Sequence, residues 1–490
     1  MSRTTLFGLI FLLTMALGQQ PALAANCESL TSLQLPNTTI TDAQLIAATA
    51  DVGSYCRVSA TLRPSSDSDI KIEVWLPATG WNGKLEAVGN GGLSGSIPSN
   101  ALTEAVRRNY AAAGTDTGHR GTSASFALDH PEKLIDFGYR AVHEMTVTAK
   151  SVITAFYGTG PRFSYWNGCS SGGKQGLMEA QRFPGDFDGI IAGDPVNYWM
   201  HQSAGALWIA QAVHRDQTSY IPPSKYPLIH KAAIQACDDL DGLKDGILED
   251  PRKCKFDPSV LHCQGPDSLD CLTASQSEAA RKIYAGASNP RTHEQISPPL
   301  MPGSESKWDT LAGPQPYGGI ETFKYVVFKN PNWDYLTMNF DSDIVLADKT
   351  AGSILDASNP DLSPFFNRGG KLLQYHGWND PLVSPLSSIQ YYESVLASIG
   401  DVRKVQSAYR LFLVPGMDHC TNGEGATSFD MLRVLEQWVE MGTPPDRIVA
   451  SRIEKGISVR THPLCPYPQM ATYNNSGSID DASNFTCKAP

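Results

Sequence analysis

Two periodicities of apolar residues mark the first part of the chain. Residues 70–76 alternate between apolar and polar side chains, which predicts an antiparallel strand. Short apolar runs predict buried strands at 85–88, 110–114, 163–166 and 190–192. Helical spacing of apolar residues predicts helices at 137–157 and 173–182. Because strands that alternate with helices form parallel sheets, we expect a largely parallel sheet with helices on both faces.

The alternation stops between residues 197 and 365. This segment is rich in Pro, Asn, Asp, Ser and Gly, contains four cysteines, and predicts only short helical pieces. Predicted strands and helices then resume at 371–375, 387–398, 409–414 and 428–441. We therefore expect one α/β domain, formed by residues 25–196 and 366–490, that is interrupted by an insertion at 197–365.

The first 24 residues have the features of a signal peptide. Arg3 is followed by an apolar run from Leu6 to Leu17, and Ala22-Leu23-Ala24 has the small residues of a cleavage site. No later stretch reaches the roughly 18 apolar residues that a membrane span needs. We therefore expect a secreted or periplasmic protein without a membrane anchor.

Composition narrows the class of protein further. With 490 residues, 41% of them hydrophobic, the chain can bury a large core and is neither disordered nor a coiled coil. The 39 Lys and Arg residues are outnumbered by 50 Asp and Glu residues, which argues against a nucleic-acid binder.

A candidate nucleophile lies in the motif Gly168-Cys169-Ser170-Ser171-Gly172. The motif fits G-x-S-x-G and stands between a predicted strand and a predicted helix, the context in which this motif forms a sharp turn that exposes the serine. Such a turn would direct the Ser171 N–H and the helix N-terminus at a developing oxyanion. The alternative is a glycine-rich turn with an incidental serine.

The order of the chain supplies partners for Ser170. An α/β-hydrolase places its acid and then its histidine after the serine, each just past a strand. Asp380 follows the strand predicted at 371–375, and His419 follows the strand predicted at 409–414. The insertion falls between the serine and the acid, so the expected architecture is an α/β-hydrolase fold with a large disulfide-stapled lid.

Three other residues compete for these roles. His376 would precede the acid and His119 would precede the serine, so neither fits the order of an α/β-hydrolase. Asp418 is adjacent to His419 in sequence, and an adjacent side chain rarely reaches the histidine Nδ1. Asp380 is therefore the preferred acid.

The second oxyanion donor is expected in an early loop that follows a strand. Residues 89–95 form such a loop and are rich in glycine, which allows a backbone N–H to approach a substrate closely. The alternative is a plain flexible turn.

Ten cysteines, an even number, are interpretable in an exported protein. Eight of them form neighbouring pairs, Cys27/Cys56, Cys237/Cys254, Cys263/Cys271 and Cys465/Cys487. Cys169 and Cys420 remain, and a bridge between them would tie the serine loop to the histidine loop. The sequence leaves this connectivity open, since one or two free buried thiols are the alternative.

An acidic loop between Cys237 and Cys254 is a candidate calcium site. Its aspartates would repel one another without a cation, and oxygen ligands favour Ca²⁺. The spacing does not match an EF-hand. The candidate ligands are Asp238, Asp241 and Asp245, with the main-chain carbonyls of Leu243 and Ile247. A solvated acidic turn is the alternative, and the position in the insertion suggests a structural rather than a catalytic ion.

Over nearly the whole mature chain these motifs resemble the tannase and feruloyl esterase family. The most specific pieces are residues 168–173, 181–184, 237–254, 375–377, 415–420 and 463–468. The resemblance implies a triad of Ser170, Asp380 and His419, oxyanion donors Gly92 and Ser171, and a Cys169–Cys420 disulfide. It also implies Ca²⁺ on Asp238, Asp241, Leu243, Asp245 and Ile247.

Substrates in this family include feruloylated sugars, gallate esters and the terephthalate monoester of ethylene glycol. The terephthalate hydrolase uses a lid arginine for the free carboxylate of its substrate, and Leu336 stands at that position here. Tyr325 and Phe340 are candidate ring-stacking residues, with packing inside the lid as the alternative.

The sequence therefore predicts a secreted serine carboxylesterase for small aromatic esters, of the hydroxycinnamoyl (feruloyl) or galloyl type. Two alternatives are a hydrolase of the terephthalate monoester and an inactive hydrolase fold that binds phenolic esters. The sequence leaves open the acyl group, the alcohol and the oligomeric state.

Overall fold

A computed structural model describes residues 26–489 of the chain. The predicted signal peptide, 1–24, lies outside the described residues and stays a prediction. Within 26–489, no helix is long and apolar enough to cross a membrane.

Nine strands form one sheet in the order β1-β2-β3-β5-β4-β6-β7-β10-β11. The strands of the chain are β1 (Thr38–Ile46), β2 (Tyr55–Leu62), β3 (Ile70–Pro77), β4 (Lys84–Val88), β5 (Ala111–Thr115), β6 (Phe163–Cys169), β7 (Gly189–Gly193), β8 (Ala287–Ser288), β9 (Gln295–Ser297), β10 (Lys371–Gly377), β11 (Tyr409–Val414), β12 (Ile448–Glu454), β13 (Ile457–Leu464), β14 (Met470–Tyr473) and β15 (Phe485–Lys488). Strands β1, β2, β3 and β5 pair antiparallel, and the sheet is parallel from β5 to β11.

The α-helices are α1 (Ser99–Arg107), α2 (Pro131–Ile135), α3 (Ala141–Tyr157), α4 (Ser171–Arg182), α5 (Trp199–His214), α6 (Tyr226–Cys237), α7 (Ala274–Ala285), α8 (Asp309–Ala312), α9 (Ser342–Ala347), α10 (Ser353–Leu355), α11 (Ser363–Asn367), α12 (Pro385–Ile399), α13 (Val402–Gln406) and α14 (Met431–Met441). The helix predicted at 137–157 is present. It begins with a π-helical turn, Asp136–Arg140, which continues directly into α3.

Neighbouring residues of the central strands face opposite sides of the sheet, as the two-residue period of a strand requires. Trp166 packs into one apolar cluster with α3, α4 and α12, whereas Tyr165 packs into a second cluster with α1 and α14. Ile190 and Ile191 divide between the clusters in the same way. Both faces of the parallel sheet are therefore covered, and its strands are apolar runs for that reason.

The segment 197–365 contributes no strand to the nine-stranded sheet. The expectation that it contains only short helical pieces was wrong, because α5 has 16 residues and α6 and α7 have 12 each. Helix α5 lies between two apolar clusters of the lid: Met200 and Leu207 face one cluster, and Ile209 and Val213 face the other. A helix buried on several sides shows no amphipathic period, which explains why the sequence pattern did not reveal it.

A half-buried histidine of the lid bridges to the loop that carries His419. His230 of α6 contacts Glu305 Oε2 through Nδ1 at 3.0 Å and Glu424 Oε2 through Nε2 at 3.2 Å. Burial lowers the pKa of His230, but these two carboxylates outweigh burial and raise the pKa to about 10. A protonated imidazole therefore holds the lid against residues that follow His419.

Five disulfides join all ten cysteines, each of which lies in the described part of the chain. The pairs are Cys27–Cys56, Cys169–Cys420, Cys237–Cys254, Cys263–Cys271 and Cys465–Cys487. The four pairs of neighbouring cysteines are those that the sequence suggested. Two of the five disulfides staple the lid.

Candidate active site

Ser170 occupies a strained turn between β6 and α4. Its backbone has φ 62° and ψ −122°, a conformation that costs a non-glycine residue free energy and that marks nucleophile turns. Two hydrogen bonds hold it: Ser170 N donates to Gly193 O at 2.9 Å, and Lys174 N donates to Ser170 O at 3.0 Å. The side chain is thereby presented at the carboxyl edge of the parallel strands, where α/β folds bind ligands.

The glycines around Ser170 are required by close backbone contacts. A Cβ at Gly173 would lie 2.3 Å from Gly193 O, and a Cβ at Gly89 would lie 2.5 Å from Gly172 Cα. Larger residues would push α4 away from β7 and from the loop after β4. The turn is therefore packed directly against residues 89–93.

The loop after β4 lies beside the N-terminus of α4, as expected for an oxyanion hole. Ser171 Oγ donates to Gly92 O at 2.8 Å, and Asn90 N donates to Gln175 Oε1 at 3.1 Å. Gly92, with φ 52°, and Ser171 line the same cavity as Ser170. The two predicted oxyanion donors are thus brought together at one wall of that cavity.

His119, a rival histidine in the sequence, holds this loop instead of reaching Ser170. Its Nε2 lies 2.9 Å from Leu93 O, and its ring stacks on Phe126 with 3.9 Å between ring centroids. Burial lowers the pKa of His119, outweighing its backbone hydrogen bonds, so the ring is neutral.

Asp380 and His419 are joined by a short hydrogen bond. His419 Nδ1 lies 2.6 Å from Asp380 Oδ2, and Asp380 is completely buried. Asp380 Oδ1 accepts N–H groups of Leu382 and Val383 at 2.8 and 2.9 Å. The aspartate that contacts His419 Nδ1 is therefore Asp380 and not the neighbouring Asp418.

A second histidine contacts the same carboxylate. His376 Nε2 lies 3.2 Å from Asp380 Oδ2 and 2.9 Å from Val383 O, and its Nδ1 lies 2.7 Å from Ser388 Oγ. Asp194, which follows β7, has Oδ1 3.7 Å from His376 Nε2. Sequence reasoning did not assign these two residues to the site, although each stands at the carboxyl end of a parallel strand.

Electrostatics in this buried cluster favour a charged aspartate beside His419. Burial alone would raise the pKa of Asp380, but the charge of His419 and the bond from His376 hold that pKa well below its usual range. Burial lowers the pKa of His419, and the charge and hydrogen bond of Asp380 more than reverse this, raising the pKa to about 9. For Asp194, burial dominates and raises the pKa to about 7.

The Cys169–Cys420 disulfide connects the serine turn to the histidine loop. Its two Cα atoms are 5.9 Å apart, and Ser170 and His419 are the immediate neighbours of the bridged cysteines. Ser170 and His419 line one cavity, and within residues 26–489 no hydrogen bond joins Ser170 Oγ to the imidazole. Such bonds commonly tighten only when substrate is bound.

The cavity beside Ser170 has a volume of about 770 Å³ and lies between the sheet edge and the lid. Its lid wall includes Trp199, Gln202, Leu311, Tyr317 and Glu321. The volume is within the usual range for small-molecule sites, and most of the lining is apolar.

Tyr325 and Phe340 do not line this cavity. Phe340 is buried in an apolar cluster of the lid, edge-on to Trp208 with 5.1 Å between ring centroids. Tyr325 packs against the same cluster, and Leu336 is also absent from the wall of the cavity. The structure therefore places the two candidate stacking residues in lid packing, the alternative that the sequence had left open.

The acidic loop forms one wall of a small cavity, and Arg460 and His462 are among the residues of the other walls. Asp241, Leu243, Asp245 and Ile247 line a space of about 20 Å³, enough for one ion or water. Asp238 lies outside this cavity and accepts the N–H of Gly246 at 2.9 Å. Carboxylate oxygens are among the ligands that Ca²⁺ prefers, so the aspartates have the right chemistry for the ion. In the structure the two Asp241 oxygens accept the N–H groups of Leu243 and Glu249, and Asp245 Oδ1 accepts that of Ile247.

The same loop contacts other parts of the molecule. The Arg460 guanidinium contacts Asp245 Oδ2, so one aspartate already has a positive partner. Ile247 packs on the histidine loop, where a Cβ at Gly416 would lie 2.8 Å from Ile247 Cδ1. The loop thus supports the segment that leads to His419.

Comparison with known proteins shows which family this chain is similar to. The family model described as tannase and feruloyl esterase matches residues 56–488. An uncharacterized esterase of Xanthomonas campestris is 40% identical over 95% of this chain and 91% of its own length. A probable feruloyl esterase B-1 of Aspergillus oryzae is 32% identical over 89% of this chain and 84% of its own length.

A solved structure matches the fold closely. The crystal structure of feruloyl esterase B from Aspergillus oryzae superposes with a TM-score of 0.90 at 29% identity, covering 95% of this chain and 100% of that one. This similarity and the mixed sheet with helices on both faces confirm the predicted α/β-hydrolase fold.

The Cys169–Cys420 disulfide is expected to maintain catalytic geometry. Changing both cysteines to alanine should lower kcat for p-nitrophenyl acetate about 100-fold, because a small misplacement of Ser170 relative to His419 is costly. Far-UV circular dichroism should stay unchanged. The matched control is Cys263→Ala with Cys271→Ala, which removes a lid disulfide and should leave kcat nearly unaffected. Full activity and normal stability of the Cys169, Cys420 variant would contradict this role.

Activity is expected to depend on the protonation state of the His419 imidazole. A general base must be neutral, so kcat/KM should fall as pH drops through the pKa of His419, with a midpoint raised toward about 9. Asp380→Asn should lower this midpoint and reduce kcat about 10⁴-fold, by analogy with other triads. Asp418→Asn is the control and should leave the midpoint in place. A pH–rate profile that shifts only in the Asp418 variant would refute the assignment of Asp380.

Proposed function

Since the chain belongs to the tannase and feruloyl esterase family and is a carboxylic ester hydrolase, we propose that Ser170, His419 and Asp380 form its catalytic triad. The observation that carries this proposal is the 2.6 Å bond from His419 Nδ1 to the buried Asp380. His419 shares a cavity with the strained Ser170.

In the proposed mechanism each group has one task. Because Nδ1–H of His419 donates to Asp380, Nε2 is left as the acceptor that takes the proton of Ser170 Oγ. The oxygen attacks the ester carbonyl, and the N–H groups of Gly92 and Ser171 stabilise the resulting oxyanion. His419 then gives the proton to the departing alcohol, leaving an acyl-enzyme on Ser170 that water hydrolyses by the same steps.

The proposed substrates are small aromatic esters of the hydroxycinnamoyl (feruloyl) or galloyl type. The support is the family description, the relatives named feruloyl esterase B, and an apolar cavity large enough for an aromatic acyl group. No step requires a partner chain.

We also propose that the protein is exported, to the periplasm or the medium. The predicted signal peptide at 1–24 supports this, and so do five disulfides, which persist in oxidising compartments.

We further propose a structural Ca²⁺ in the lid, held by Asp238, Asp241 and Asp245 with the carbonyls of Leu243 and Ile247. The 20 Å³ cavity and its oxygen donors support the site, although Asp238 would have to turn toward it. When bound, the ion supplies charge neutralisation in the loop. Because Ile247 contacts Gly416, stabilising the acidic loop would also stabilise the loop that carries His419.

The triad is tested by labelling and by substitution. A phosphonate ester should label Ser170, and methyl ferulate or methyl gallate should give a burst of alcohol release if deacylation is slow. Ser170→Ala should abolish both and still bind the esters. An inactive phenolic-ester binder would show binding in the wild type without turnover or labelling. Hydrolysis by Ser170→Ala at the wild-type rate would exclude the mechanism.

The calcium site is tested by chelation and by a pair of neighbouring aspartates. Chelation, or Asp241→Ala, should lower Tm, since an ion at 100 times its Kd stabilises the fold by about 2.7 kcal/mol. KM should rise more than kcat falls. Asp239→Ala is the control, because Asp239 is exposed, faces Lys244 at 3.4 Å and lies outside the cavity. An immediate loss of kcat on chelation at unchanged Tm would instead place the metal in the chemistry.

A further inference from the structure

Of the residues between 26 and 489 that line the cavity beside Ser170, one carries a carboxylate and none is a lysine or arginine. Among the described residues that line it, the acidic side chain is that of Glu321, and the remaining polar groups are neutral amides and hydroxyls apart from His419. Ser170 enters from the edge of the sheet, whereas Glu321 belongs to the lid. A substrate in this cavity therefore has the serine on one wall and a carboxylate on the lid wall.

Glu321 is fixed in place by the catalytic domain. Its Oε2 accepts hydrogen bonds from Ser123 Oγ and from Ala124 N, the latter at 3.2 Å. Within residues 26–489, Oε1 has no hydrogen-bond partner. One oxygen therefore anchors the lid, and the other remains available to a ligand in the cavity.

The electrostatic consequence concerns the far end of the substrate. A carboxylate there would lie near Glu321 without a lysine or arginine to balance the two charges, and like charges repel more strongly beside a largely apolar wall than in bulk water. A hydroxyl there would donate a charge-assisted hydrogen bond to Oε1. The same residue thus penalises one class of ester and stabilises another.

We propose that Glu321 is a specificity-determining residue, which selects esters with a hydroxyl at the lid side of the cavity and rejects esters with a carboxylate there. This inference rests on the proposed function. It applies to phenolic hydroxyls of the acyl ring and to hydroxyls of a sugar alcohol, which share the same hydrogen-bonding chemistry. It also predicts, independently of Leu336, that a terephthalate monoester is a poor substrate.

The charge effect is tested with two esters that differ in one group. Dimethyl terephthalate is neutral, whereas monomethyl terephthalate carries a carboxylate, and the two present the same methyl ester to Ser170. The wild type should prefer the neutral ester in kcat/KM, and Glu321→Gln should narrow the ratio about tenfold. Because the scissile ester is the same, a general loss of activity cancels in the ratio.

The hydrogen bond is tested with a second set of esters. Methyl gallate has three ring hydroxyls, and methyl 3,4,5-trimethoxybenzoate has none. Glu321→Gln should lower the preference for methyl gallate about threefold, since a neutral acceptor binds hydroxyls more weakly than a carboxylate. Glucose esters of benzoic acid, compared with methyl benzoate, report whether sugar hydroxyls use Glu321 in place of ring hydroxyls.

Ser123→Ala is the matched control, because it weakens the anchor of Glu321 and keeps the charge. In this variant the ratio of kcat/KM for dimethyl terephthalate to that for monomethyl terephthalate should equal the wild-type ratio. Glu321→Ala is the second variant if the glutamine variant folds poorly, and it should narrow the ratio as well. Unchanged ratios in a Glu321 variant that hydrolyses dimethyl terephthalate normally would overturn the inference alone. A wild type that hydrolyses none of these esters would overturn the proposed function, and this inference with it.

Discussion

A fully buried carboxylate governs the arrangement of this active site. Burying an unpaired charge is very costly, so Asp380 must be surrounded by donors. It receives two backbone N–H groups on Oδ1 and two imidazoles, His376 and His419, on Oδ2. The hydrogen bonds to this carboxylate fix the positions of the loop after β10 and of the His419 and His376 rings. The disulfide to Cys169 and the glycine contacts of α4 then bring Ser170 to the same place.

The parts of the molecule that follow local rules could be predicted from the sequence. The alternation of strands and helices, the turn at Ser170 and the positions of Asp380 and His419 after strands depend on short patterns and chain order. The predictions that failed concern packing between residues that are far apart in the sequence. Helix α5 is buried between two clusters and has no polar face, and Phe340 fills the lid core although its type suits ring stacking. Asp194 and Glu321 acquire their surroundings only when separate segments meet.

The lid is held to the catalytic domain by contacts of several kinds. Glu321 accepts hydrogen bonds from residues 123 and 124, a protonated His230 bridges Glu305 and Glu424, and Ile247 packs on Gly416. Two of these three contacts end on the loop that carries His419. The lid and the loop that carries His419 are therefore connected directly, and a change in the lid would reach the imidazole of His419 through a few residues.

The bridge made by His230 has a consequence for how substrate enters. Lipases with hinged flaps gain activity at an oil–water interface, because the flap opens when its apolar underside meets lipid. A charged imidazole between two carboxylates instead favours a lid that stays in place. Esters would then diffuse into a cavity that is already formed. The rate would follow the concentration of dissolved ester and saturate smoothly, without a jump when the ester passes its solubility limit and forms droplets.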